Sequence, residues 1–353
     1  MIGNPVVLRM RGSQALEKGA FADAVTAFDT ALQVEAGHSY ALANRAYARF
    51  MLGDDAGALA DTADAIKANR TALGPYGLRV QIAHEQGRTD AVMAEMAALV
   101  AAAPSEPATQ IWIAGLYRNV DRPIDALRVY DRAIALKPTA TLHAARYRAR
   151  PKADRAGRQA DLDAIARLSP KSDFDDSERA RMLDETGNHV GAIALYTRTL
   201  ATHADKQGWL TRRGISHATA GETALAAADF MQARKLAKDA NRLNNLCWEK
   251  AVSGVALETA LSECDAALRL EPTDAAIWDS RGLVLLRLGR WTDAISAYDR
   301  ALALSPWLAN ARYGRAIVRA RMGDKVRAEA DASAARRSSF DITKAYSDMG
   351  LTL

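Results

Sequence analysis

The chain has 353 residues, of which 49% are hydrophobic but only 6% are aromatic. Its 47 lysines and arginines exceed its 42 acidic residues, a mild excess that permits an anionic partner without requiring nucleic acid. No stretch reaches the apolar length of a membrane span, and the N-terminal residues lack the apolar core of a signal peptide. We therefore expect a soluble, cytoplasmic protein.

One pattern recurs along nearly the whole chain with a period of 34 residues. The frames begin at residues 5, 39, 73, 107, 139, 173, 207, 241, 275 and 309, and only the step from 107 to 139 is shorter, at 32. Glycine recurs at position 15 of the frame, alanine at position 20 and proline at position 32. A fixed period of this length indicates a stacked array of supersecondary units.

Each frame predicts helix A, a turn at the glycine, helix B and a second turn at the proline. In residues 275–308, we expect helix A over about 275–287 and helix B over about 291–304. A small residue at position 8 should form a hole for a large residue from position 24, as with Gly282 and Tyr298.

The clearest frame carries a familiar set of residues: Trp278, Gly282, Leu285, Gly289, Ala294, Tyr298, Ala301 and Pro306. This frame resembles the tetratricopeptide repeat (TPR) family. The resemblance implies an all-α fold, a right-handed α-solenoid of about ten tandem helix-turn-helix repeats with a C-terminal capping helix.

In chain order, we expect four repeats over 5–138, a short and irregular repeat over 139–172, five repeats over 173–342, and a capping helix over 343–353. Pro151 should end helix A of the fifth repeat early, either as a tolerated irregularity or as a kink. The cap, with Ile342, Tyr346 and Met349 on one face, should pack on helix B of the last repeat.

Cys247 and Cys264 are the only two cysteines, and both lie in the eighth repeat. Buried free thiols that act as small hydrophobic groups are the favoured interpretation. A local disulfide is the alternative, and it would imply an oxidising compartment.

No catalytic pattern is present in the sequence. The six histidines are dispersed, the cysteines lack zinc-site spacing, and the glycines occur singly at turns rather than in a phosphate-binding loop. We therefore predict a non-enzymatic protein without a cofactor or metal, which binds a protein or peptide partner.

The family resemblance implies that helix A residues at positions 2, 5, 6, 9, 12 and 13 line a concave groove for peptides. For each such residue, packing against the adjacent helix A is the alternative. The candidate binding residues are Arg9, Tyr40, Asn44, Tyr47, Phe50, Trp112, Tyr147, Arg181, Arg242, Asn245 and Tyr313.

Some family members hold a partner's C-terminal carboxylate with basic residues and asparagines in three successive repeats. Arg9 and Asn44 match that set in kind, but Ser13, Gly74 and Leu78 do not. The resemblance therefore argues against capture of a C-terminal tail.

The densest basic run in the chain surrounds Pro151, with Asp154 as its single acidic residue. It is either a solvated loop edge or a surface that attracts an anionic partner. Its members are Arg146, Arg148, Arg150, Lys152, Arg155 and Arg158.

The last three repeats, at residues 243–248, 279–283 and 312–315, are similar to the repeat tail of certain bacterial proteins. Some of those carry a transglutaminase-like domain upstream and are exported. The first functional hypothesis is a scaffold that binds a protein segment in its groove. The alternative is an accessory module of an exported or envelope-associated enzyme complex, which would be periplasmic.

Overall fold

A computed structural model describes residues 4–92, 107–169, 173–339 and 341–353, without the side chains of 173–175. Every regular element in these ranges is a helix, which confirms the all-α prediction. The expected turns at Pro104 and Pro170 lie outside the described residues. No described helix combines the length and the apolarity needed to cross a membrane.

The chain forms two compact units, Met1–Ala164 and Ile165–Leu353. The first unit contains α1 (Pro5–Lys18), α2 (Phe21–Val34), α3 (Ser39–Met51), α4 (Asp55–Ala68), α5 (Leu73–Glu85), α6 (Pro107–Asn119), α7 (Pro123–Leu136) and α8 (Ala140–Ala149). The boundary between the units falls within α9 (Arg155–Leu168).

The second unit continues the pattern of helix pairs. It contains α10 (Asp173–Glu185), α11 (His189–Thr202), α12 (Gln207–Thr219), α13 (Thr223–Leu236), α14 (Ala240–Ser253), α15 (Leu257–Leu270), α16 (Ala275–Arg287), α17 (Trp291–Leu304), α18 (Ala309–Arg321), α19 (Lys325–Ser338) and α20 (Ile342–Asp348). Because Pro151 cannot continue a helix, α8 ends at Ala149 and is shorter than the other helices A.

Small residues in helix A receive large rings from helix B, as the sequence predicts. A Cβ atom added to Gly282 would lie 2.5 Å from the Tyr298 ring, and one added to Gly12 would lie 2.6 Å from the Phe28 ring. The same relation joins Gly214 to Phe230 in the seventh repeat. In these three repeats, close approach of the helix pair therefore depends on the absence of a side chain at position 8.

Within each unit, successive repeats pack in the same way. Helix A contacts helix B of its own repeat and also the next helix A, as α12 contacts α13 and α14. Helix B contacts the helix A that follows it, as α13 contacts α14. Neighbouring helices A therefore lie side by side and present their remaining faces as one surface in each unit.

Ion pairs between half-buried arginines and aspartates reinforce this stacking at regular positions. Arg315 in α18 donates to Asp331 in its own helix B at 2.7 Å and to Asp299 in the preceding helix B at 2.7 Å. Arg45 makes the same two contacts, to Asp61 and Asp29, each at 2.6 Å. The arginine stands at position 7 and the two aspartates at positions 23 and 25. Each arginine therefore connects three helices, an arrangement that we call the arginine clamp.

In the eighth repeat, a disulfide bond takes the place of the arginine clamp. Position 7 is Cys247, and it forms a disulfide with Cys264 of α15. Beside it, Lys250 donates to Glu263 at 2.6 Å in the interior, where burial lowers the pKa of the lysine and raises that of the glutamate. The favoured prediction of two free thiols is therefore wrong, because these positions face each other across the helix pair with a Cα–Cα distance of 5.6 Å.

The C-terminal helix α20 packs differently from the prediction. Its Tyr346 ring lies 5.1 Å from that of Tyr313 in α18, and its hydroxyl donates to the Asn310 carbonyl at 2.8 Å. The helix contacts both α18 and α19 rather than helix B alone. It takes the place of a following helix A, which explains why it covers the helix A of the last repeat.

Candidate functional site

The helix A surface of the first two repeats carries four of the predicted binding residues. Tyr40 and Tyr47 are exposed by 52% and 38%, and the Tyr40 hydroxyl lies 2.9 Å from Ser13 Oγ. Asn44 donates to the Tyr40 carbonyl at 2.8 Å, and Arg9 pairs with Glu35. The tyrosines are accessible, whereas both candidate carboxylate-binding groups already have partners within the chain.

Two predicted groove residues of the first unit are buried in its core and cannot contact a partner there. Phe50 packs among Leu78 and Ile82 of α5, so its ring fills the interface with the next repeat. Tyr147 is enclosed beneath Arg158, whose guanidinium lies 4.5 Å from the ring centroid.

Trp112 packs against α5, the helix A of the preceding repeat. A Cβ atom added to Gly77 of α5 would lie 3.1 Å from Trp112 Cζ2, so the half-buried indole packs against that helix. Gly77 is therefore a contact point between helix A of the third repeat and helix A of the fourth.

The predicted binding residues of the second unit also include both buried and exposed side chains. Tyr313 is only 3% exposed and packs against the cap, so it is not a surface residue. Arg242 pairs with Asp205 at 3.1 Å, while Asn245 is exposed on α14. Arg181 has a half-exposed side chain, pairs with Glu178 and lines a pocket.

Three of the six residues expected to form a basic surface around Pro151 are paired with an aspartate or buried. Arg146 and Arg150 both donate to the buried carboxylate of Asp161, and Arg158 is only 3% exposed. The compensating aspartate lies in helix B, where the local run of charge does not reveal it. Exposed positions remain at Arg148, Lys152 and Arg155.

A pocket of about 420 Å³ opens between α10, α12 and α14 in the second unit. We call it the repeat 6–8 pocket. Nearly all its lining residues occupy the positions that the family resemblance assigns to the groove. They are Ser177, Glu178, Arg181, Asp184, Glu185, Tyr196, Arg212, Ile215, Thr219, Trp248, Glu249, Val252 and Ser253.

The pocket has a negatively charged wall and an apolar one. Its four carboxylates and two guanidiniums give a formal charge of 2 − 4 = −2, in a chain whose total is +5. Trp248, Ile215 and Val252 form the apolar part. An occupant with both an apolar segment and a positive charge would match this combination.

Glu249 is the least compensated of these charged groups. Its Oε2 atom is buried and has no hydrogen-bond partner among the described residues. Burial raises the pKa of its carboxyl group, and the charge of Arg212 opposes that shift only in part. Arg212 is itself engaged, since it donates to Ser177 Oγ at 2.7 Å.

Part of this pocket escaped the sequence analysis. Positions 6, 9 and 13 of the seventh repeat are Arg212, Ile215 and Thr219, so the same positional rule would have identified them. Trp248 occupies position 8, where a small residue is expected. That departure was a visible signal of unusual packing in the eighth repeat.

No cluster of three or more histidine, cysteine or acidic residues within the described ranges could hold a metal ion. One acidic pocket residue, Asp184, contacts neighbouring polar groups instead. Its carboxylate accepts from Ser216 Oγ at 2.6 Å and lies 3.0 Å from His189 Nδ1.

Comparison with known proteins agrees with the repeat geometry. Residues 9–75 match the family described as "Tetratricopeptide repeat", and residues 282–323 match the one described as "TPR repeat". The chain therefore carries tetratricopeptide repeats in both of its units. TPR arrays generally serve as non-catalytic scaffolds for protein–protein interaction.

Two individual proteins are similar to this TPR chain, one in sequence and one in structure. Protein FlbA of Caulobacter vibrioides is 30% identical over 161 residues, which cover 44% of this chain but only 26% of FlbA. The crystal structure of yeast Tom70 superposes with a TM-score of 0.53 at 14% identity, covering 98% of this chain and 88% of that one. The second similarity shows the fold alone.

Proposed function

We propose that this TPR chain is a scaffold that binds a segment of a partner protein on its helix A surface, anchored in the repeat 6–8 pocket. The supporting observation is that side chains from three successive helices A converge on one cavity. The pocket combines aromatic, apolar and arginine side chains, and tryptophan and arginine are among the residue types enriched at binding hot spots.

Tyr40 and Tyr47 support a second contact region in the first unit. Both are exposed, and Tyr47 is held in place by an edge-to-face contact with Phe21 at 6.2 Å. A tyrosine with only two side-chain torsions loses little entropy on binding and offers a large contact area. In this proposal, the two tyrosines form a contact region that belongs to the first unit alone.

Site-specific photo-crosslinking tests this function. A photoreactive amino acid replaces Thr219, which is exposed at the edge of the pocket, or Val190, which is 79% exposed on helix B. In a native lysate, we expect a discrete crosslinked protein from Thr219 and none from Val190. A product from Val190 alone, or equal products from both positions, would contradict binding at the pocket.

The disulfide supports one alternative context. Disulfides persist in oxidising compartments, and the Cys247–Cys264 bond is fully buried in the eighth repeat. An accessory module of an exported or envelope-associated complex would lie in such an oxidising compartment. Thiol labelling of the protein isolated from its native host under acid quench distinguishes the two contexts, since two free thiols would favour the cytoplasm.

A further inference from the structure

We infer that the repeat 6–8 pocket selects a basic side chain, an arginine or a lysine, from the partner. This inference rests on the proposed function and adds the chemistry of the recognised residue. Three features of the pocket support it: the Glu249 carboxylate, which Arg212 compensates only in part, the charge of the whole pocket, and the apolar wall.

Glu249 supplies a carboxylate oxygen that has no hydrogen-bond partner among the described residues. A buried carboxylate oxygen without a partner is destabilised, because it has lost water and gained no hydrogen bond in return. A guanidinium or ammonium group in the pocket would provide an opposite charge and, once the Glu249 side chain turns its buried Oε2 atom towards the pocket, that hydrogen bond. Part of the free energy lost when Glu249 was buried would then be recovered in the complex.

The charges on the three helices A around the pocket favour the same occupant. On α10, Glu178, Asp184 and Glu185 contribute three carboxylates against Arg181. On α12 and α14, Arg212 and Glu249 contribute one charge of each sign. Both arginines already have partners on the protein, Glu178 and Ser177, so an anionic ligand would have to compete for them.

The apolar wall explains why a side chain fits better than a small inorganic cation. Arginine and lysine place a charged group at the end of a hydrocarbon stem, which can cover apolar surface while the charge stays at a polar site. Trp248 and Val252 offer that surface next to Glu249 on α14. The indole face also attracts a cation directly.

Asp279 shows that an uncompensated carboxyl group is not sufficient by itself. Burial raises its pKa to about 7, and its Oδ1 atom has no hydrogen-bond partner in the part of the chain that the structure describes. However, Asp279 is only 4% exposed and is absent from the lining of the repeat 6–8 pocket. We therefore assign it to the interior and confine the inference to Glu249.

A pair of neutral and charged probes tests the inference. The probes are acetyl-Gly-Arg-Gly-amide and the same peptide with citrulline, which keeps the shape of arginine but lacks its charge. Ligand-observed NMR titration at low salt should show at least tenfold weaker binding of the citrulline peptide. Glu249→Gln should remove most of that difference, whereas Glu258→Gln, a change on the exposed face of α15, should preserve it.

The outcomes separate this inference from the proposed function. Equal binding of both peptides, or discrimination that survives Glu249→Gln in a folded variant, would overturn the selection of a basic side chain. If Thr219 nevertheless crosslinks a partner, the scaffold function stands without that selectivity. If the arginine probe binds as expected but Thr219 gives no crosslinked product, the pocket chemistry stands and the scaffold function fails.

Discussion

At the scale of single residues, the hole at position 8 is the feature that sequence reasoning resolved best. The period alone paired Gly282 with Tyr298, and in the structure the two are in direct contact. The reason is geometric, since the period fixes which faces of two packed helices meet. Residues whose burial depends on a neighbouring repeat, such as Phe50 and Tyr313, could not be resolved in that way.

Replacing Gly282 with alanine should destabilise the protein. The added Cβ would lie 2.5 Å from the ring of Tyr298, which is fully buried. Overpacking of this kind costs about 1–3 kcal/mol. Urea unfolding followed by circular dichroism measures the change in the free energy of unfolding.

Gly208→Ala is the matched control for that substitution. Gly208 lies in α12, and an added Cβ there would meet no atom within 4 Å. Its free energy of unfolding should stay the same or rise by up to about 1 kcal/mol, because alanine favours a helix. Equal destabilisation by both substitutions would contradict the fitted hole.

At the scale of helices and repeats, the frame located the elements but not the bonds between them. The expected helices over 275–287 and 291–304 coincide with α16 and α17. The arginine clamp was missed, because its partners are 16 residues apart and meet only when the helix pair closes. For the same reason, the basic run around Pro151 looked unpaired until Asp161 was placed beside it.

Reduction of the disulfide should loosen the eighth repeat. The bond closes a loop across a sequence separation of 17 residues, and the chain-entropy relation gives about 3 kcal/mol of stabilisation for a loop of that length. A phosphine reductant should therefore lower the urea midpoint of the wild type. The doubly substituted Cys247→Ala, Cys264→Ala variant should unfold at this lower urea midpoint, and the reductant should not change its midpoint. Identical wild-type curves with and without reductant would refute this role.

At the scale of the molecule, charge is distributed unevenly. The chain carries +5 overall, yet the repeat 6–8 pocket carries −2. Composition could not predict this local inversion, because it arises from three helices that the sequence separates by tens of residues. The predicted division into four, one and five repeats stays a prediction, although the boundary between the two compact units falls within the fifth repeat.

Hydrogen–deuterium exchange on the complex formed with the partner that Thr219 crosslinks tests the central claim most directly. That claim is that the helix A surface of repeats 6–8 holds the partner. Binding should slow amide exchange in α10, α12 and α14 and leave α13 and α15 unchanged. Slower exchange confined to α13 and α15, with α10, α12 and α14 unaffected, would contradict the account.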